Sequence, residues 1–220
     1  MITAKINLPD KAMIKFDTTF DVNKFLFKIN CVLKDMKFDG ADGLQMAGNY
    51  IRKYSKAYDL NQRWILTALE TEQGLLHKKT PEEVEKATYW KHVGFRTIQT
   101  GKEEKFAVNL FKKDEVYQCK PNERITKVVE MRILDWCVGY AVPDDGVNEK
   151  CKGFEKQIEG GCATYRRWYN AFKDGMPKEL LDKDCKVCYP ENAITFSTLM
   201  YTPHRQVLSA KETAWSKYFG

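Results

Sequence analysis

The segment Trp64–Leu75 places two carboxylates in a run with helical spacing. Glu70 and Glu72 are two positions apart, so they project to different sides of a helix. Glu72 follows Ala68 by four residues and Leu69 by three, which places it on the apolar face. We therefore expect Glu72 to face inward and Glu70 to project toward the polar side.

A carboxyl group on the inward face of a helix has a predictable chemistry. Burial disfavours its charged form, raises its pKa and keeps it protonated near neutral pH, which is what a general acid requires. Gly74 follows closely and lacks a side chain, so a bulky ligand could approach. The pattern alone leaves an alternative, in which Glu72 pairs with a basic residue in the core or lies at its edge.

Apolar residues at spacings of three and four predict the helices that must position these carboxylates. The predicted helices cover Val22–Met36, Leu44–Tyr58, Gln62–Leu76, Glu123–Val138, Gly153–Phe172, Asn192–Met200 and Ser209–Phe219. A short alternation at Phe95–Thr100 predicts a small strand or hairpin. We expect a mainly α fold: one globular domain of many short helices with at most a small β-hairpin. Residues 1–40 are expected to be an N-terminal extension packed on the core, and residues 41–220 the catalytic domain.

Composition excludes several classes of protein. The 220 residues are 43% hydrophobic, which rules out global disorder. No apolar run approaches the roughly 20 residues that cross a bilayer, so no membrane insertion is expected. The net charge of +6 is spread along the chain without clusters of basic and aromatic residues, so we expect no nucleic acid as partner. A net positive charge also attracts polyanions, and the bacterial cell wall is one candidate partner. The first twenty residues lack the apolar core of a signal peptide.

Seven cysteines are an odd number, which is unusual for a secreted disulfide framework. Cys185 and Cys188 form a CxxC, which can be half of a zinc site, but a second pair and a nearby pair of histidines are missing. We expect mostly free thiols and no metal. One or two disulfides remain open, and so does an interaction module built on zinc around the CxxC.

The run from Tyr50 to Leu75 resembles the catalytic region of the lysozyme-like superfamily and is most similar to soluble lytic transglycosylases. In that family an apolar helix ends in the catalytic glutamate, usually followed by serine; here Gln73 stands in the serine's place. Three later segments resemble a peptidoglycan-cleaving subgroup in matching order. They are Leu134–Gly146 (Gly-Tyr-x-x-Pro-Asp-x-Gly), Gly153–Ile158 (Gly-Phe-x-x-Gln) and Asn192–His204 (Asn-x-x-Thr…Leu-x-Tyr-Thr-Pro-His).

The resemblance implies an α+β lysozyme-like domain that cleaves peptidoglycan between N-acetylmuramic acid and N-acetylglucosamine, with Glu72 as general acid and base. It implies no cofactor and action on the cell wall. The missing signal peptide, the many lysines and the expected free thiols favour a phage protein, either an endolysin or a virion enzyme, and we expect a monomer. The residues expected to contact the glycan are Gln73, Tyr140, Asp144, Asp145, Gln157, Asn192 and Tyr201. The amide of Gln157 suits an N-acetyl group or a sugar hydroxyl.

The number of carboxylates bears on the type of cleavage. Hydrolysis usually needs two, one as acid and one to stabilise the cation or activate water. A lytic transglycosylase needs only one, because the substrate's own 6-hydroxyl attacks. Glu72 is the single convincing general acid, which favours transglycosylase cleavage. Hydrolysis is also possible if Asp144 or Asp145 supplies the second carboxylate. The alternatives are an endo-β-N-acetylglucosaminidase on the same scaffold and a non-catalytic protein that binds glycan or builds the virion.

Overall fold

Helix α3, Gln62–Gln73, carries both glutamates through the centre of the molecule. The structure, a computed structural model, describes residues 2–176, 179–181 and 186–220. The α3 helix begins where the Asn61 side chain accepts a hydrogen bond from Arg63 N at 3.0 Å. It ends at Gly74, whose φ of +62° is a conformation that favours glycine. Local capping therefore fixes where the helix stops, just after Glu72.

The described part of the chain contains six further α-helices. They are α1 (Val22–Lys28), α2 (Ala47–Ala57), α4 (Pro81–Glu85), α5 (Phe154–Lys173), α6 (Ala193–Tyr201) and α7 (Gln206–Phe219). The short α4 has a capping box, in which Thr80 and Glu83 each accept a hydrogen bond from the other's backbone N–H. Each predicted helix except Glu123–Val138 overlaps an observed one, but the predicted Val22–Met36 helix ends at Lys28 and the predicted Gln62–Leu76 helix ends at Gln73.

An antiparallel sheet of three strands is the main β element. Its strands are β4 (Tyr89–Thr97), β5 (Glu103–Leu110) and β6 (Glu123–Met131), with β4 in the middle. Smaller pairings join β1 (Ile2–Ala4), β7 (Leu180–Leu181) and β8 (Val187–Pro190), and β2 (Lys37–Phe38) with β3 (Gln45–Met46). β1 runs parallel to β8, which brings the start of the chain beside its last strand.

The prediction of a mainly α fold is wrong. The protein is α+β, with 41% helix, 19% strand and three small sheets. The predicted helix Glu123–Val138 is instead strand β6 as far as Met131. Its β-branched residues fit a pleated strand better than a helix, and β4 provides a partner along its whole length. The predicted small hairpin near Phe95 is part of a full sheet.

Two groups of buried side chains hold the elements together. The larger one joins the helices and includes residues before position 40, such as Met13 and Leu26. The smaller one consists of Val129, Met131 and Trp136, with Tyr89, Val142 and Val147 packed against it. Through this second group the sheet supports the loop that follows it, residues 136–147.

The described residues contain no helix that is both long and apolar enough to cross a membrane.

Five of the described cysteines are free thiols: Cys31, Cys119, Cys137, Cys151 and Cys162. Within the same part of the chain, no cluster of three or more His, Cys, Asp or Glu side chains could hold a metal ion. Cys185 of the CxxC lies outside the described residues.

Candidate functional site

Glu72 lies one residue before the end of α3, where its half-buried carboxyl group borders a cavity. Thr202, just after α6, donates a hydrogen bond from its Oγ1 to Glu72 Oε1 at 3.3 Å. On the other side is Gly139, whose φ is +71°; a Cβ built there would be 3.6 Å from Glu72 Oε2. Two segments distant in sequence therefore approach the same carboxyl group.

Burial raises the pKa of Glu72 above the ordinary value of 4.5. The nearby Lys211, the hydrogen bond from Thr202 and His204 each oppose this effect, but burial is the larger cause. A carboxyl group with these surroundings keeps its proton to a higher pH than an exposed glutamate, as a general acid must.

The cavity has a volume of about 610 Å³, within the usual range of ligand sites. One wall is the loop after the sheet, and the other is the end of α6 with the residues that follow. The lining residues are Glu72, Gln73, Gly139, Ala141, Val142, Pro143, Asp144, Tyr201, Thr202, Pro203 and His204. Four of the predicted site residues thus share one cavity: Glu72, Gln73, Asp144 and Tyr201.

Two side chains hold the loop wall in place. Gln73 Nε2 donates to Trp136 O at 3.4 Å, and Lys91 Nζ of strand β4 donates to Pro143 O at 2.6 Å. Lys91 is almost completely buried, so its stem packs under the loop while its ammonium binds backbone. The three-stranded sheet, of which the sequence predicted only a small hairpin, therefore positions the loop that carries Asp144.

Tyr201 contributes both a ring and a hydroxyl to the site. Its hydroxyl donates to Val138 O at 2.8 Å, and its ring stacks on Tyr165 with centroids 4.3 Å apart and planes 11° apart. Burial raises the pKa of the Tyr201 phenol well above its ordinary value, so the hydroxyl stays neutral. The ring both packs against the core and lines the cavity.

The structure does not bring Gln157 or Tyr140 into the lining of the cavity. Gln157 is fully buried, and its amide binds loop backbone: it accepts from Tyr140 N at 3.0 Å and donates to Tyr140 O and Cys151 O. Both of its N–H groups and its oxygen are therefore occupied. The Tyr140 ring packs on helix α5, where a Cβ at Gly160 would come within 2.1 Å of it.

Asn192 and Asp145 also lie away from the cavity lining. Asn192 caps α6, where its Oδ1 accepts from Thr195 N at 2.9 Å and its Nδ2 donates to Ile6 O at 3.3 Å. Asp145 is exposed in the loop beside Asp144. Helix capping explains the position of Asn192, and turn formation explains that of Asp145.

The expectation that Glu70 projects toward the polar surface is wrong, because its side chain is only 12% exposed. It accepts hydrogen bonds from Leu76 N at 2.9 Å and from the hydroxyl of Tyr218 at 3.3 Å, and it lies 3.0 Å from His77 Nδ1. Through these contacts Glu70 accepts a hydrogen bond from the backbone that follows α3 and connects α3 to α7. Glu70 is a structural carboxylate on the side of α3 away from the cavity lining.

Sequence reasoning missed Lys211, Thr202 and Gly139, which influence or approach Glu72. Lys211 had a visible signal, because α7 buries Val207, Leu208, Lys211 and Ala214 at spacings of three and four. A lysine in such an apolar series is unusual and could have been singled out. Thr202 and Gly139 lie within segments that the resemblance had singled out, but their approach to Glu72 depends on the tertiary fold.

Comparison of the chain with protein-family models finds no match, and neither curated proteins nor solved structures match it significantly. These comparisons assign the chain to no family.

Proposed function

We propose that this protein cleaves the β-1,4 glycan of peptidoglycan between N-acetylmuramic acid and N-acetylglucosamine, with Glu72 as general acid and base. The observation that carries the proposal is the half-buried Glu72 carboxyl, whose pKa is raised, on the wall of a cavity of about 610 Å³. A cavity of this size whose wall carries a carboxyl group with a raised pKa suits the acid-catalysed cleavage of a glycosidic bond.

In the proposed reaction Glu72 donates its proton to the glycosidic oxygen as the bond to C1 of muramic acid breaks. The resulting Glu72 carboxylate then takes the proton of the 6-hydroxyl of the same sugar, whose oxygen bonds to C1. The products are an N-acetylglucosamine end with a new hydroxyl and a 1,6-anhydro end. Glu72 is protonated again, so no other group is consumed.

Two further observations support this proposal. Two of the segments that resemble the peptidoglycan-cleaving subgroup contact each other through Gln157 and Tyr140, and they shape the loop beside Glu72. The net charge of +6 favours association with the anionic cell wall, where we propose that the protein acts.

Hydrolysis is the second candidate, because Asp144 lines the same cavity as Glu72. In a hydrolase a second carboxylate activates water or stabilises the sugar cation. The products would then end in an ordinary reducing sugar in place of an anhydro ring.

Mass spectrometry of fragments released from purified peptidoglycan tests the proposal. Anhydro-muramic ends support transglycosylase cleavage, and reducing muramic acid ends support hydrolysis, the second candidate. Reducing N-acetylglucosamine ends would mean that the protein is an endo-β-N-acetylglucosaminidase. Sedimentation with cell walls without any released fragment would mean that it binds glycan and does not cleave it, which overturns the proposal.

A further inference from the structure

Lys211 is a fully buried lysine on the inner face of α7, which packs against α3. Its Nζ donates to Thr71 Oγ1 at 3.1 Å, next in sequence to Glu72. The ammonium lies 5.3 Å from the centre of the Trp64 ring and 5.4 Å from that of Tyr165. Among the described residues, no carboxylate forms a salt bridge with it.

The burial of Lys211 carries a cost that its neighbours offset only in part. A buried ammonium is expensive unless it is paired, and one hydroxyl with two aromatic rings is weak compensation. A Met or Leu at this position would continue the apolar series of α7 without that cost. Glu72 is the acid whose charge favours the protonated form of Lys211, and Lys211 in turn favours the ionised form of Glu72.

We propose that Lys211 is a positioning residue for Glu72. Its ammonium, bound to Thr71 of α3, stabilises the Glu72 carboxylate left after proton donation, so that Glu72 can then act as a base. This inference rests on the proposed function, and it assigns Lys211 as the charged partner of the proposed general acid, Glu72. Burial alone would hold the proton on Glu72 and hinder the second step. The positive charge opposes burial, and a single group can then serve in both steps.

Among the other groups near this pair, none favours the ionised form of Glu72 as strongly as Lys211 does. Tyr165, from α5, and Tyr201, from α6, stay neutral because burial raises the pKa of each phenol well above its ordinary value. Thr202 donates one hydrogen bond to Glu72, and His204 favours its ionised form. Burial lowers the pKa of Lys211 to about 8, so it is still largely charged at neutral pH.

The substitution Lys211→Met tests the inference, because Met fills a similar volume without charge. Carbon-13 NMR of glutamate-labelled protein reports the ionisation of Glu72, whose signal is assigned by its absence in Glu72→Gln. We expect the Glu72 midpoint, and with it the alkaline limb of cell-wall clearing, to move up by about one pH unit, at the lower end of what a neighbouring charge causes. Lys211→Arg, which retains the charge, should restore the parental limb. Unchanged midpoints in Lys211→Met would overturn the inference.

The reciprocal experiment does not depend on whether Lys211→Met folds. In Glu72→Gln the negative charge is lost, so the titration midpoint of Lys211, followed by NMR of labelled lysine, should fall below its parental value. An unchanged Lys211 midpoint would overturn the inference. Both NMR experiments can be carried out on an inactive protein. Failure of the proposed function can therefore be distinguished from failure of the inference about Lys211. A parent that leaves peptidoglycan intact overturns the proposed function, whereas uncoupled titrations in an active parent overturn the role of Lys211.

Discussion

Thr202 Oγ1 donates to Glu72 Oε1 at 3.3 Å, which joins the end of α3 to the chain that follows α6. The two residues are 130 positions apart in sequence, so only the folded chain brings them together. The hydrogen bond favours the ionised form of Glu72 and fixes one carboxyl oxygen on the cavity side. The hydrogen bond therefore influences the ionisation of the carboxyl group whose proton the proposed reaction transfers.

Replacing Thr202 by Val should raise the pKa of Glu72 further, because the hydroxyl that stabilises its carboxylate is lost. We expect the alkaline limb of cell-wall clearing to move up by about half a pH unit, the equivalent of a hydrogen bond worth about 0.7 kcal/mol. Thr198→Val is the matched control, since that hydroxyl binds Ile194 O within α6. Equal shifts in the two variants would show that Thr202 has no specific effect on Glu72.

Glu70→Gln should reduce stability and leave activity per folded molecule close to the parental value. Gln can still accept from Leu76 N, but the negative charge that faces His77 and Lys217 is lost. We expect the free energy of unfolding to fall by about 1 kcal/mol, measured by urea denaturation. A large loss of turnover at unchanged stability would instead mean that Glu70 takes part in catalysis.

Replacing Gln157 by Leu distinguishes a structural role from the glycan contact that the sequence predicted. Three backbone groups would lose their partner, two of them on Tyr140, so we expect a loss of about 3 kcal/mol in unfolding free energy. Lys156→Ala, at an exposed position on the same helix, should change stability little. If Gln157→Leu is as stable as the parent but has a much higher KM for glycan, the side chain binds substrate after all.

The stability of the protein should depend on pH through Glu72. Because burial raises its folded pKa above the ordinary 4.5, Glu72 contributes stability that is complete below pH 4.5 and is lost as the pH rises through the folded pKa. Gln at this position has no proton to lose. The unfolding free energy of Glu72→Gln should therefore increase relative to the parent between pH 4.5 and 7, as measured by urea denaturation at several pH values. Parallel curves for the two proteins would contradict a raised pKa.

Local sequence signals predicted the helices that carry the site. Asn61 caps the start of α3 through a contact within a few residues, and the spacing of Glu72 from Ala68 and Leu69 placed its carboxyl toward the interior. The end of α3 was predicted too late, at Leu76, because Gly74 was not identified as the residue that ends the helix. Such signals depend on neighbouring residues alone, which is why they can be read without the fold.

Non-local contacts account for what the sequence did not predict. Strand β6 is stabilised by pairing with β4, more than thirty residues earlier, and its apolar residues alone also fit a helix. The burial of Glu70 likewise depends on Tyr218 of α7, 148 positions away. Gln157 looked available to a sugar because its sequence gives no sign of the loop backbone that occupies its amide.

The most direct test of the account compares the fragments that parent, Glu72→Gln and Glu70→Gln proteins release from purified peptidoglycan, measured by mass spectrometry over time. Glu72→Gln preserves size and hydrogen bonding but removes the transferable proton, and general acid catalysis contributes roughly 100- to 10,000-fold. We predict that parent and Glu70→Gln release disaccharide fragments with anhydro-muramic ends, and that Glu72→Gln releases them at least about 100-fold more slowly while folded. Release by Glu72→Gln at near the parental rate would contradict the assignment of Glu72 as the general acid.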